Sequence, residues 1–210
     1  MKRKEHISSR RAARMKPRKL ILVMVEGKTE ECYFNLLNDK LKASEVTVKC
    51  YQAEHSTPDA VIKSAMEFKA PRNLKYDQRW VVYDADVLTG KQIQRALEQA
   101  RQGHLQSAIS NPCFEYWLLL HHECCTPAFN SSDQCIGRLQ ERDTTYRKGT
   151  FNALASYLEA SRIMTAITHA QRVMRDHRLA GNNDPHPHPS TTVHLLIEAI
   201  LRERERVGQE

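Results

Sequence analysis

Two acidic clusters in this chain each follow a short apolar run. Glu26 stands in Val25-Glu26-Gly27-Lys28-Thr29-Glu30 behind Leu20 to Val25, and Asp84 and Asp86 stand in Val82-Tyr83-Asp84-Ala85-Asp86 behind Trp80 to Tyr83. Carboxylates gathered at strand ends often hold metal. Brought together without a counterion, these would repel each other by several kcal/mol at intermediate dielectric, and a divalent cation removes that repulsion. Oxygen donors without thiolate or imidazole suit Mg²⁺ or Mn²⁺ better than zinc. The chemistry implied is phosphate transfer or hydrolysis. Glu115 is a further candidate carboxylate, placed in the first turn of an expected helix after Ser110-Asn111-Pro112. A charge there is either a dipole-stabilised surface acid or a functional group at the same sheet edge, and the second reading is preferred.

These acids can act together only if strands bring them together. Both apolar runs have the composition of strands buried on two faces, as in a parallel sheet, where ligands sit at the carboxyl edge. Lys28 to Leu41 carries Cys32, Tyr33, Leu36, Leu37 and Leu41 near a 3.6-residue period, which predicts an amphipathic helix. Val46 to Tyr51 alternates as a strand. Thr57-Pro58 supplies an N-cap and first-turn proline for a helix bearing Val61, Ile62, Ala65, Met66 and Phe68. A helix from about Gly90 to Arg101 follows, then an apolar segment from Leu105 to Ile109. Ser110-Asn111-Pro112 reads as a stop, a cap and a proline start for a helix from Cys113 to about His122. The alternation predicts an α/β fold with a parallel sheet of about four strands, flanked by helices and joined by right-handed crossovers. From Thr126 onward no strand is expected: Cys135–Glu141, Phe151–Arg175 and Thr191–Arg206 read as helices, and Asn182 to Pro189 as a loop. The expected division is a basic tail over 1–19, an α/β core over 20–125 and a helical C-terminal part over 126–210.

Composition narrows the class. Hydrophobic residues at 40% and charged residues at 27% are ordinary for a soluble globular protein of 210 residues. No apolar run approaches the roughly 20 residues that span a bilayer, and the basic N-terminus lacks an apolar signal core, so a cytoplasmic protein is expected. The six cysteines form no disulfide framework, which fits a reducing compartment. The net charge of +7 is concentrated: residues 2–19 hold nine Lys and Arg against Glu5, which leaves the remainder close to neutral. Such an arm attracts polyanions without reading sequence and weakens with salt, and it reads equally as a solvated leader.

Competing readings exist for each motif. Gly27-Lys28-Thr29 is not a nucleotide-binding loop, because that motif requires a glycine five positions before Gly27, where this chain has Leu22. Singly, Glu26 reads as a helix N-terminal acid, and Asp84 and Asp86 as turn or cap residues. Their placement after the first and third apolar strands of one alternating fold favours metal binding. A zinc site from His121, His122, Cys124, Cys125, His186 and His188 lacks Cys-x-x-Cys and every standard ligand spacing. As adjacent helix residues, His121 and His122 point in different directions, so only one is expected to face inward.

Glu26 in a strand-end Glu-Gly-Lys-Thr-Glu followed by Asp84-Ala85-Asp86 resembles the Toprim domain of topoisomerases, primases and related nucleases. Ser110-Asn111-Pro112-Cys113-Phe114-Glu115 with Trp117 and His121, then Tyr146-Arg147-Lys148 and Pro189-Ser190-Thr191-Thr192-Val193, resembles the RloB-like family over nearly all of the chain after Lys19. The resemblance implies a Toprim-like core and a metal-dependent nuclease of bacterial anti-phage defence. Its implied substrate is RNA, including tRNA, or DNA, and its implied partner an ABC-type ATPase. It assigns Glu26 as general acid or base, Asp84 and Asp86 as Mg²⁺ or Mn²⁺ ligands with Glu26 beside them, and Glu115 and Lys148 as further catalytic residues. Val87-Leu88 stand where many members carry another polar or acidic residue, which points to one-metal chemistry. A regulatory binding subunit without catalysis is the alternative.

Overall fold

The computed structural model describes residues 19–41, 45–71, 74–86, 88–150 and 152–209. The expected basic tail, Lys19 apart, lies outside the described residues, as does Val87. The chain runs β1 (Lys19–Val25), α1 (Lys28–Lys40), β2 (Val46–Gln52), α2 (Pro58–Glu67), β3 (Gln78–Asp84), α3 (Gly90–Gln102) and β4 (Gln106–Asn111), then α4 (Phe114–Leu119), α5 (Ser132–Arg142), α6 (Ala160–Leu179), β5 (Ser190–Thr191) and α7 (Val193–Gln209). No described helix is long and apolar enough to cross a membrane. All six cysteines are free.

Local sequence explains where the helices begin. Thr57 Oγ1 accepts from the Ala60 amide ahead of Pro58, and Thr89 and Gln92 form a reciprocal capping box on α3. Ser131 caps α5 through the Gln134 amide. Helix α1 differs, since its N-cap is Gly27 in an extended conformation and no side chain caps it.

The sheet order is β2-β1-β3-β4-β5, with β5 alone antiparallel. Alternation along the central strands divides the core between two faces. Ile21, Val23, Val25, Trp80 and Val82 pack on one face with Tyr33 and Phe34 of α1, Trp117 of α4, Ile163 of α6 and Leu196 of α7. Met24, Val81, Tyr83 and Ile109 pack on the other with Val61 and Ile62 of α2 and Ile93 and Ala96 of α3. Covering both faces explains why these strands read as continuous apolar runs. Each fully buried large side chain contributes roughly 1.5–3 kcal/mol, so the first layer, which extends from α1 to α7, is a major source of stability.

Register places the acids. Val25 pairs with Val82 and Asp84 with Ser110, so the residues that follow β1 and end β3 stand side by side at one edge. This is the α/β arrangement expected from the strand-helix alternation, with a fifth strand added. The helix expected from Thr191 begins later, because Ser190 and Thr191 pair with Asn111 and Ser110. The pairing is reinforced by Thr192, whose amide donates to the Ile109 carbonyl and whose Oγ1 accepts from the Ile109 amide, both at 2.8 Å. Two other expectations are shortened. α4 ends at Leu119, and Cys113 is its extended N-cap; the stretch expected as helix from Phe151 is a 3-10 segment over Asn152–Leu158 before α6. Extended Glu159 breaks the helical path there, and the Tyr157 hydroxyl donates to Asp143 Oδ2 at 2.7 Å, anchoring the segment.

Candidate active site at the carboxyl edge of the sheet

Glu26 is the first residue after β1. Its amide donates to the Val82 carbonyl at 3.2 Å, and its Oε2 accepts from the Asp84 amide at 3.1 Å. The side chain is thereby pinned across the gap between the ends of β1 and β3. Asp84 closes β3, with the next amide, that of Ala85, bonded to the Ser110 carbonyl at 2.8 Å. Glu115, in the first turn of α4, is buried, and the Tyr146 hydroxyl donates to its Oε1 at 2.8 Å. Lys148 Nζ stands 3.9 Å from the same oxygen, while most of the lysine side chain remains exposed. The loop carrying Tyr146 and Lys148 is fastened by the Gly149 amide to Thr29 Oγ1 at 3.0 Å. Gly149 adopts φ +71°, a conformation that glycine takes without steric cost.

Glu26, Asp84, Glu115 and Lys148 line one cleft of about 560 Å³, together with Thr29, Gly149 and Glu30. Glu30 was not singled out from the sequence. It lies in the first turn of α1 and is buried, with its carboxylate folded over Gly27; a methyl group at position 27 would stand 2.8 Å from Glu30 Oε2. The available signal was its spacing, one helical turn beyond Glu26 at the same strand-to-helix junction.

Asp86 does not line this cleft. It is exposed, and Ser132 Oγ of α5 donates to its Oδ2 at 2.9 Å. The histidines proposed for zinc are separated as well. His121 is buried with Nδ1 beside the Trp117 carbonyl, whereas the His188 ring lies between Asn111 Oδ1 and the Phe129 main chain.

Electrostatics in the cleft favours proton or cation uptake. Burial raises the Glu30 carboxyl to about 7, with Glu115 and Glu26 adding to the effect. Burial raises Asp84 well above the usual carboxylate range, followed by repulsion from Glu30 and others. Glu26 is also raised, chiefly by burial and further by Asp86, against the opposing Asp84 amide and Lys148. Lys148 is raised, first by Glu115. Four carboxylates therefore share a cleft with one lysine directed at them, since Lys28 pairs with Glu31.

As donors, Glu26 and Asp84 suit a hard divalent cation, being oxygen-only and partly stripped of water. Among the described residues, however, no group of three or more His, Cys, Asp or Glu side chains is arranged to hold a metal ion. The donor chemistry fits; the third donor expected from the sequence is turned toward Ser132.

The family model for RloB-like protein matches residues 21–200. The chain belongs to the RloB-like family. The matched span runs from β1 into α7 and contains every cleft residue of this RloB-like protein, Glu26 through Gly149. Neither a curated protein nor a solved structure matches the RloB-like chain.

Proposed function

We propose that this RloB-like chain is a metal-dependent, Toprim-type phosphodiester hydrolase that cuts nucleic acid as an effector of bacterial anti-phage defence. The observation that carries the reading is the convergence of Glu26, Asp84 and Glu115 on one cleft with Lys148 at its rim. The pattern of Glu after β1 and Asp-x-Asp at the end of β3, by which the chain resembles Toprim domains, supports it further. Its substrate is an RNA, tRNA included, or DNA, and the reaction runs in the cytoplasm under the control of an ABC-type ATPase partner.

Glu26 and Asp84 would hold Mg²⁺ or Mn²⁺, with Asp86 joining them. Bound there, the ion supplies Lewis-acid polarisation of a phosphate oxygen. The chain's own groups account for the remaining work. Glu26 moves a proton at the reacting oxygen. Lys148 is exposed enough to meet a phosphate and offsets charge developing there. Glu115 and Tyr146 orient that lysine from below.

The test is cleavage of a panel of single-stranded, duplex and structured RNA and DNA, tRNA included, with Mg²⁺ or Mn²⁺. Wild type is compared with Glu26→Ala, with and without the ATPase co-expressed. Metal-dependent cutting lost in the variant is the expected result. A panel left intact under every condition would instead favour a catalytically silent binding subunit. One observation favours that second reading, namely that Asp86 is turned to Ser132 rather than into the cleft. A silent subunit would still associate with its partner after Asp84→Ala and Asp86→Ala.

A further inference from the structure

The end of β3 carries one acid toward the cleft, and the turn after it carries another away. Asp84 lines the cleft, whereas Asp86, two residues on, accepts from Ser132 Oγ at 2.9 Å. Ser132 is the first residue of α5, and α5 is braced against the α4 region at both ends. At the start, Cys113 Sγ lies 4.0 Å from the Ser132 carbonyl. Near its end, Arg138 forks onto Glu123 at 2.7 and 3.3 Å, and Arg142 reaches the same carboxylate at 2.5 Å. The Ser132 hydroxyl is thus presented from a fixed support, and the positive end of the α5 dipole adds a favourable field for an anion. Asp86 remains within the electrostatic reach of Glu26. Two residues beyond cleft-lining Asp84, it is held in an orientation that does not line the cleft.

We propose that Ser132 is a positioning residue that holds Asp86 out of the carboxylate cleft, so that Glu26 and Asp84 gain their third ligand only when the Asp86–Ser132 hydrogen bond opens. The proposal rests on the metal-dependent reading of the cleft. It gives α5 the part of a latch: whatever shifts α5 relative to the β3 turn changes the number of carboxylates available to an ion. Closed, the latch leaves Glu26 and Asp84 in the cleft without Asp86. Opening it brings Asp86 in as the third oxygen donor.

The experiment is calorimetric titration of the full chain with Mn²⁺ alone, which reads affinity independently of cleavage. The proteins compared are wild type, Ser132→Ala, Asp86→Ala, the double variant, Ser132→Thr and Asp84→Asn, each checked for folding by circular dichroism. Ser132→Ala keeps the Ser131 cap of α5. It is expected to bind Mn²⁺ roughly three- to tenfold more tightly than wild type, the range that loss of one competing hydrogen bond allows. That gain should vanish in the Asp86→Ala background, and Ser132→Thr, which retains the hydroxyl, should resemble wild type. An unchanged or weaker affinity in Ser132→Ala overturns the latch, as does a gain that persists without Asp86. If wild type binds Mn²⁺, loses it in Asp84→Asn and ignores Ser132→Ala, the metal reading stands while the latch falls. Absence of binding in both wild type and Ser132→Ala removes the two together.

Discussion

Gly149 donates its main-chain hydrogen to Thr29 Oγ1 at 3.0 Å, joining positions 120 residues apart in sequence. The contact sets the height of Lys148 above the cleft, because the lysine immediately precedes Gly149 on the same loop. Thr29→Val preserves shape and removes the acceptor. It should cost about 1 kcal/mol of stability and weaken binding of a short RNA or DNA oligonucleotide. Urea denaturation and a binding titration check both; unchanged values in both would mean that the loop holds Lys148 without this tie.

Tyr146 and Glu115 form a second connection from the same loop. Tyr146→Phe leaves buried Glu115 without its hydroxyl donor and should destabilise the fold by roughly 1–3 kcal/mol. The loss should shrink when Glu115 is already Gln, since the two residues share one interaction. Equal losses in the two backgrounds would show that the hydroxyl matters for some other reason.

The Glu30 carboxyl, raised by burial to about 7 from an ordinary value of 4.5, gives stability a definite pH dependence. Its folded value lies above its unfolded value, so between about pH 4.5 and 7 the native state binds more protons than the unfolded state. Stability should therefore fall as pH rises through that window, by up to about 3 kcal/mol from this group, and Asp84 acts in the same direction. Glu30→Gln should flatten the slope and raise stability at pH 7.5. Denaturation midpoints across this range are the measurement, and a slope unchanged in Glu30→Gln would remove Glu30 as its source.

His121 works in the opposite sense. Burial among aromatic rings lowers it to about 3, so the unfolded chain takes up the proton first as pH falls below 6.5. Acidification from 6.5 toward 3 should destabilise the protein through this group. In His121→Phe that part of the acid sensitivity should disappear, as read from the low-pH limb of the same series.

If the cleft takes a divalent ion, Mn²⁺ at a hundredfold its Kd should add about 2.7 kcal/mol of stability at neutral pH. Asp84→Asn should abolish the gain, as followed by thermal unfolding with and without EDTA. A rise in Tm that survives this substitution would place the ion elsewhere on the protein.

The sheet core was legible because burial on both faces writes itself into sequence as unbroken apolar runs, and Thr57-Pro58 announced α2 through capping chemistry that needs no tertiary context. Glu26 and Asp84 were legible for a related reason, since a strand end is also a place in the sequence pattern, and Glu115 because Ser110-Asn111-Pro112 marks the helix start before it. Lys148 came from the family resemblance rather than from any pattern, since nothing local ties a lysine 33 positions beyond Glu115 to that carboxylate. Glu30 was hidden by its setting. Acids are common in the first turn of a helix, and only the packing shows that this one is buried. The direction of Asp86 depends on Ser132, a contact across 46 positions with no local signature. Ser190 and Thr191 gave no strand signal because two polar residues after a proline show no alternation; their pairing comes from the edge that β4 offers.

That last pairing bears on how the protein behaves when damaged. A sheet edge with free amides and carbonyls is a template for joining another molecule. Ser190 and Thr191 occupy the outer edge of β4 over Asn111 and Ser110, while the Thr192 hydroxyl masks the amide of Ile109. A proteolytic nick that released the chain from Ser190 onward would leave every cleft residue present and would bare this edge together with the apolar surface beneath α7. The product expected from such a nick is an insoluble assembly built strand upon strand, so the segment from Ser190 protects the protein's solubility as well as its shape.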